Sequence, residues 1–359
     1  MKVHPTLFVG VFAIMALSNA IVPILPSFAR ASVWQGAIYS AYFLGAFATT
    51  LPGGILSDRY GKVPIMRAGL ALTLLSGILL SVTTVPAPVL VFRALEGAGA
   101  GLFIAAAMAC VNSRPDHVGM SGYFMAMLNT GLVFGLVVSG WLAGKVGYPA
   151  SGIILFTILS LFPASTSLFI RDTALSPSGS AVLRLWPLIF KYRWIWYSSV
   201  ILVGITGVIS SLYPKFSGQS PEILGIWIAS MSVATIIVVV AISRITIRPI
   251  PAIRWSAILM IPGIIFSYIS PLGFIVLGAL AGIVMIAQMA ALAGVHEQQG
   301  MAMGLFSTSS YLGMTILPVI AGMIADNAGF FPAFLSMTLV AATVAITIGR
   351  NGGKVSKGE

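Results

Sequence analysis

The chain has 359 residues, of which 58% are hydrophobic and only 8% charged, and its mean hydropathy is +1.03. Soluble domains carry roughly a quarter charged residues, so this composition cannot cover a water-exposed surface and specifies an integral membrane protein. The formal net charge of +11 would suggest nucleic acid in a soluble protein, but its placement along the chain gives it another meaning.

A helix needs about 20 apolar residues to cross a ~30 Å hydrocarbon core, so a chain of this length holds about twelve with short connections. The apolar runs are continuous and rich in Gly and Ala, unlike the ~10-residue alternating segments of a membrane β-barrel. They predict an all-α integral membrane fold with spans at 6–28, 35–57, 64–84, 87–111, 119–144, 148–170, 194–213, 222–243, 254–270, 272–294, 302–325 and 329–349. Pro23, Pro26, Pro52, Pro163, Pro262 and Pro318 fall inside these spans, where neighbouring helices can satisfy the carbonyls they free. Lys2 and the small residues Ser18-Asn19-Ala20 could mimic a cleavable signal. Losing that segment would leave an unpaired set of spans, so it is read as span one. Cys110 is the single cysteine and allows no intramolecular disulfide.

Charge sets the orientation. On the side of the N-terminus lie Lys2, Arg59, Lys62, Arg67, Arg114, Arg171, Arg184, Lys191, Arg193, Arg244, Arg248, Arg254, Arg350, Lys354 and Lys357. The other side has Arg30, Lys145 and Lys215, and Arg93 falls within a span. This bias predicts cytoplasmic termini in a multi-pass protein of the cell membrane. It also makes the net charge a topology signal that needs no nucleic acid.

The longest connection, 171–193, starts polar and ends in Leu183-Arg184-Leu185-Trp186-Pro187-Leu188-Ile189-Phe190-Lys191-Tyr192-Arg193. Its mixture of Trp, apolar and basic residues suits a short helix at the membrane interface; a plain linker is the alternative. It divides the chain into an N-terminal six-helix bundle (1–170), a cytoplasmic linker (171–193), a C-terminal six-helix bundle (194–350) and a cytoplasmic tail (351–359). The halves resemble one another. Gly97-Ala98-Gly99-Ala100-Gly101 matches Gly278-Ala279-Leu280-Ala281-Gly282 at an offset of 181, as Asp116 matches Glu297. Beyond these the offset becomes 182, and Gly122, Gly131, Gly140 and Gly147 fall on Gly304, Gly313, Gly322 and Gly329. Two six-span repeats are a common build of secondary transporters.

The first tight run of charge, Gly54-x-x-x-Asp58-Arg59-x-Gly61-Lys62, follows span two. Gly54 lets a neighbouring helix approach, Gly61 permits a turn with positive φ, and Asp58 is an anion suited to a helix N-terminus. The run resembles the signature loop of the major facilitator superfamily. Arg93-Ala94-Leu95-Glu96-Gly97-Ala98-Gly99 in span four is similar to that family's Arg-x-x-Gln-Gly-x-Gly, with Glu96 where glutamine is usual. The resemblance covers the twelve spans, the repeat and the central loop. It implies a gating latch in which Asp58 meets the start of span eleven near Ala302 and Arg114 at the end of span four. The corresponding turn of the second half, Ser243–Pro249, has no acidic residue, so the latch is expected to be one-sided. The Gly-Pro kink of the family's antiporters is missing from span five, whose glycines are Gly131, Gly135 and Gly140; Pro318 holds the matching place in span eleven.

Arg93 and Glu96 are spaced i, i+3 and share one face of a helix. An ionisable residue at that depth is costly unless paired or facing water, which makes it a functional candidate. Glu96 is the acidic residue placed to change protonation within the membrane, so the pair suits proton coupling; a static ion pair bracing a cavity wall is the alternative. The second half has Phe274 and Leu277 in their places. With spans one, four, seven and ten central by resemblance, Asn19 and Gln288 are candidate substrate-cavity residues, joined by Tyr39, Tyr42, Asn129 and Tyr311 from neighbouring spans. So sparse a polar set suits an amphipathic solute or small organic ion better than a sugar. His4, His117 and His296 are too scattered for a metal site, and no phosphate-binding Gly-x-x-x-x-Gly-Lys-Ser/Thr occurs. The expectation is a monomeric secondary transporter, not an enzyme, without a cofactor. It moves a small organic solute by alternating access, with protons as co-substrate and membrane lipid as its surroundings. Export of amphipathic compounds is favoured over uptake or uncoupled facilitation; a channel or membrane sensor is the remote alternative.

Overall fold

A computed structural model of the chain describes residues 5–112, 117–170, 185–242, 245, 247–292 and 299–349. Every regular element among them is helical. Helices α1 (Pro5–Ala20) and α2 (Leu25–Phe28) are joined by a short 3-10 turn, Val22–Ile24, and together form the first span. Then come α3 (Ser32–Tyr60), α4 (Lys62–Val82), α5 (Pro86–Asn112), α6 (His117–Val146) and α7 (Ser151–Ser167). After α8 (Leu185–Lys191) follow α9 (Arg193–Ser217), α10 (Pro221–Ile242), α11 (Pro249–Ile269), α12 (Gly273–Leu292), α13 (Gln299–Ala328) and α14 (Phe330–Thr347).

Ten of these segments, with α1 and α2 counted as one, are long and apolar enough to cross a membrane. The other two expected spans differ for separate reasons. Helix α7 has 17 residues, about 26 Å at ~1.5 Å per residue. Helix α3 has 29 residues, ample in length, but Gln35, Ser40, Thr49, Thr50 and Ser57 dilute its apolarity.

Proline explains where the helices depart from the expected limits. Pro23 and Pro26 supply no N–H and break the first span; Ile24 N–H turns to the Ile21 carbonyl at 3.1 Å, and the carbonyl of Ala20 accepts a bond from Ser139 Oγ at 2.5 Å. Helix α11 starts five residues earlier than expected, because Pro249 and Pro251 sit in its first turn, where a missing N–H costs nothing. Helix α9 runs on through Pro214 to Ser217, which puts Lys215 in its last turn and not in a loop. The expected interfacial helix is α8. Its Trp186 and Phe190 lie on one face, ring centroids 6.2 Å apart, and both are largely exposed.

The chain divides into two compact units. The first comprises Met1–Arg30, Ala37–Gly179 and Pro214–Ala229; the second comprises Ala31–Gly36, Ser180–Tyr213 and Ser230–Glu359. In the first, α4 packs on α5 and α7, and α1 on α6 and α7. In the second, α11 packs on α12 and α14. Lipid tails are as apolar as leucine, so association rests on close packing and hydrogen bonds between helices. Both recur in parallel. Gly131 presses on the Phe12 carbonyl of α1, and Gly313 on the Val200 carbonyl of α9. Gly97 presses on the Tyr42 carbonyl of α3, and Gly278 on the Met231 carbonyl of α10.

Two arginines likewise close helix ends. Arg67 of α4 donates to the carbonyls of Ser167, Leu168 and Ile170 at and beyond the end of α7, at 2.9–3.1 Å. Arg254 of α11 donates to the Ile348 carbonyl beyond α14 at 2.5 Å. A cation at a helix C-terminus satisfies orphan carbonyls and complements the dipole.

Candidate functional site

Arg93 and Glu96 are 1% and 0% exposed, the only buried charged side chains among the described residues. Arg93 Nη1 donates to Glu96 Oε2 at 2.5 Å. Arg93 Nε also points at the Ile38 carbonyl of α3, at a long 3.5 Å, and the guanidinium carbon lies 4.9 Å from the centre of the Tyr42 ring. Carboxylate, carbonyl and π-face thus surround one cation, as a buried charge requires. Glu96 Oε1 has no hydrogen-bond partner among the described residues. That free oxygen can accept a proton without breaking the bond to Arg93.

The site exists because α3 and α5 approach closely. Gly97 leaves no room for a Cβ against the Tyr42 carbonyl, nor Gly45 against that of Ala94. Thr49 Oγ1 ties the crossing by donating to the Ala98 carbonyl at 3.0 Å. A run such as Gly97–Gly101 serves two neighbours at once: Gly97 and Gly101 face α3, while Gly99 faces Gly69 and Thr73 of α4. Tyr42 was a cavity candidate from the sequence, and the structure brings it to Arg93. Tyr39, also buried, packs on Phe43 with ring centroids 5.0 Å apart, and Phe43 meets Tyr42 edge-on at 5.1 Å.

The other cavity candidates fall in both units. Asn19 is half-buried at the end of α1 and bonds locally, to the Met15 carbonyl at 3.3 Å and Ser18 Oγ at 3.1 Å. Asn129 is half-buried on α6, its amide donating to the Met125 carbonyl of its own helix at 2.8 Å. In the second unit Gln288 is fully buried and ties α12 to α9, Nε2 donating to Ser198 Oγ at 2.9 Å; its Oε1 has no partner among the described residues. Tyr311 is half-buried on α13, and its neighbour Ser310 bonds Ser199 of α9 at 2.9 Å. Sequence reasoning missed Ser198, Ser199 and Ser310, because serines in apolar helices are too common to signal anything.

The charged loop has the expected turn. Gly61 adopts φ 99° and is the N-cap of α4, and its N–H bonds the Ser57 carbonyl at 3.1 Å. Asp58 and Arg59 are exposed at the end of α3, Lys62 is half-buried, and the Arg59 guanidinium lies 5.3 Å from the centre of the Tyr60 ring. Beyond its own helix, no atom among the described residues comes within 4 Å of a Cβ built on Gly54. Ala302, near the start of α13, is fully buried. Arg114, the expected partner of Asp58, lies outside the described residues, as do Asp116, Glu297 and most of the 171–193 connection before α8.

A family model described as Major Facilitator Superfamily matches residues 7–293. No curated protein matches the sequence. Among solved structures, the chain resembles the nucleoside transporter NupG, with TM-score 0.72, 14% identity and full coverage of both chains. It also resembles a D-xylose-proton symporter, with TM-score 0.76 and 13% identity over 97% of this chain and 96% of that one. A third is the human organic anion transporter MFSD10, with TM-score 0.69 and 15% identity over 96% and 98%. At these identities the likeness is one of fold.

Proposed function

We propose a function from one premise: this chain belongs to the Major Facilitator Superfamily, and is a multi-pass membrane transporter and not an enzyme. Its cargo is a small amphipathic organic solute or organic ion, moved by alternating access of two six-helix halves (1–170 and 194–350) and driven outward by protons. The termini and the 171–193 linker are cytoplasmic, the membrane is the cell membrane, and the working unit is a monomer. Asn19, Tyr39, Tyr42, Asn129, Gln288 and Tyr311 supply polar and aromatic contacts along the path.

The observation that carries the coupling is the buried pair on α5. Its acid has one oxygen bonded to Arg93 and the other unpartnered, so a proton can come and go at Oε1. When Glu96 is neutral, its bond to Arg93 is no longer an ion pair, and the guanidinium relies more on the Ile38 carbonyl and the Tyr42 face. Both belong to α3, so the proton would shift the hold on Arg93 from α5 towards α3. A charge move of that kind biases the relative stability of two conformations, which is all that coupling requires.

Gating follows from Asp58, Arg59, Gly61 and Lys62, with Gly54 and Arg114. In the cytoplasm-closed conformation Asp58 meets the start of α13, and it releases as that side opens. Solute counterflow in proteoliposomes tests carriage itself. Exchange of labelled for unlabelled solute supports a carrier, and flux without exchange identifies a channel. Solute-driven alkalinisation or acidification of the lumen then separates export from uptake, and no proton movement identifies a facilitator.

A further inference from the structure

At the end of α3 opposite Asp58, a second carboxylate holds the helix. Asp326, near the end of α13, accepts the backbone N–H of Ser32 and that of Val33, each at 2.8 Å. These are two of the four amide donors that every helix start leaves unpaired, and the anion sits on the positive end of the dipole. Hydrogen bonds to an ionised acceptor are about twice as strong as neutral ones. The backbones meet beside it: Gly322 has no room for a Cβ against the Ser32 carbonyl and Val33 Cα, nor Gly36 against the Pro318 carbonyl. All these residues belong to the second unit.

The same crossing recurs inside the first unit, between α6 and the start of α10. Gly140 presses on the Pro221 carbonyl, Gly225 on the Leu136 carbonyl, and Gly144 on the Glu222 side chain. The repeat offset that pairs Gly140 with Gly322 also pairs Leu136 with Pro318 and Gly144 with Asp326. Pairing Ser32 with Pro221 likewise puts Val33 on Glu222 and Gly36 on Gly225. Each crossing therefore has glycine-lined backbones and one acid at a helix start. In one the acid belongs to that helix, as Glu222 in the first turn of α10. In the other it comes from a different helix, as Asp326. A cap supplied by another helix is lost when the two helices separate; a cap of a helix's own is not.

We propose that Asp326 is a latch on the start of α3, released during the transport cycle and reciprocal to Asp58. Ser32 and Asp58 stand at opposite ends of one helix, about 39 Å apart at ~1.5 Å per residue. In the proposed gating Asp58, near the end of α3, clamps the start of α13; here Asp326, near the end of α13, clamps the start of α3. The pair of helices thus carries two opposed carboxylate-to-amide clamps, and making one accompanies breaking the other. The inference rests on the alternating-access reading, but its readout needs no solute.

Ser32 is fully buried and its Oγ has no partner among the described residues, so a cysteine there is a silent reporter of opening. Ser57, also buried, reports from the other end of α3. The experiment measures maleimide labelling of Ser32→Cys and Ser57→Cys, each in a Cys110→Ala background, with the protein in nanodiscs. Asp326→Asn and Asp326→Ala are expected to speed labelling at position 32 about tenfold, the size of a lost helix-terminal anion, without speeding it at position 57. Asp326→Glu stays close to the parent. Unchanged labelling at position 32, or equal acceleration at both positions, overturns the latch.

Discussion

In the first unit, the crossing of α3 with α5 encloses Arg93, Glu96 and the Tyr42 ring; in the second, α12 crosses α10 at Met231 and carries Phe274 and Leu277 in the places of the charged pair. Backbone contact is the same in both, since Gly97 meets the Tyr42 carbonyl and Gly278 the Met231 carbonyl. A threonine hydroxyl ties each, Thr49 to Ala98 at 3.0 Å and Thr235 to Gly278 at 2.8 Å. The side chains differ. Phe274 is fully buried and packs edge-on against Tyr213, ring centroids 4.7 Å apart. One scaffold therefore supports either an ion pair or an apolar plug, so the charges are not needed to hold such a crossing together. That difference assigns the ionisable chemistry to the first half and packing alone to the second.

The largest expected effect comes from breaking the pair one residue at a time. Arg93→Ala or Glu96→Leu leaves an uncompensated buried charge and should cost about 3–5 kcal/mol, read as a large fall in thermal stability in detergent. Arg93→Phe combined with Glu96→Leu copies the second half and should recover most of that stability. A double variant as unstable as the worse single one would show that the scaffold depends on the charges.

Next come the glycines. Gly97→Val and Gly278→Val both drive a side chain into a backbone carbonyl, and overpacking of this kind costs about 1–3 kcal/mol. Equal losses of folded yield by size-exclusion chromatography would sharpen the comparison, and a loss at only one position would break it. Smaller again is Tyr42→Leu, which removes a buried cation–π contact worth about 1–2 kcal/mol; Tyr42→Phe keeps the ring and should melt within a degree or two of the parent. Smallest are the helix-end arginines. Arg67→Ala removes three carbonyl contacts and Arg254→Ala one, with an expected cost of about 1 kcal/mol for the former and less for the latter. The order of their melting temperatures checks it.

Most of the architecture was legible because a bilayer forces it. Continuous apolar runs marked the helices, and Lys and Arg outside them stood out against an apolar background. Glycines at offsets of 181 and 182 marked the parallel contacts made by Gly97 and Gly278 and by Gly131 and Gly313. What was illegible is which way a helix faces. Lipid and protein interior are equally apolar, so the sequence lacks the periodicity that distinguishes faces in a soluble protein. For that reason the sequence did not show that the Asn129 amide bonds its own helix or that Gln288 ties α12 to Ser198 of α9. Arg67 was legible as a topology charge, yet nothing in the sequence joined it to carbonyls a hundred residues away. Asp326 escaped for the same reason: the amides it holds, those of Ser32 and Val33, lie 294 and 293 residues earlier in the chain and carry no side-chain signature.

The central claim, that solute movement is coupled to protons through Glu96, is tested most directly by Glu96→Gln. Glutamine fits the site, keeps an acceptor for Arg93 and cannot carry charge. In proteoliposomes with an imposed pH gradient, the parent should concentrate solute and the variant should only equilibrate it, while retaining counterflow exchange. Undiminished concentration by Glu96→Gln, with the parent's pH dependence, would contradict the account.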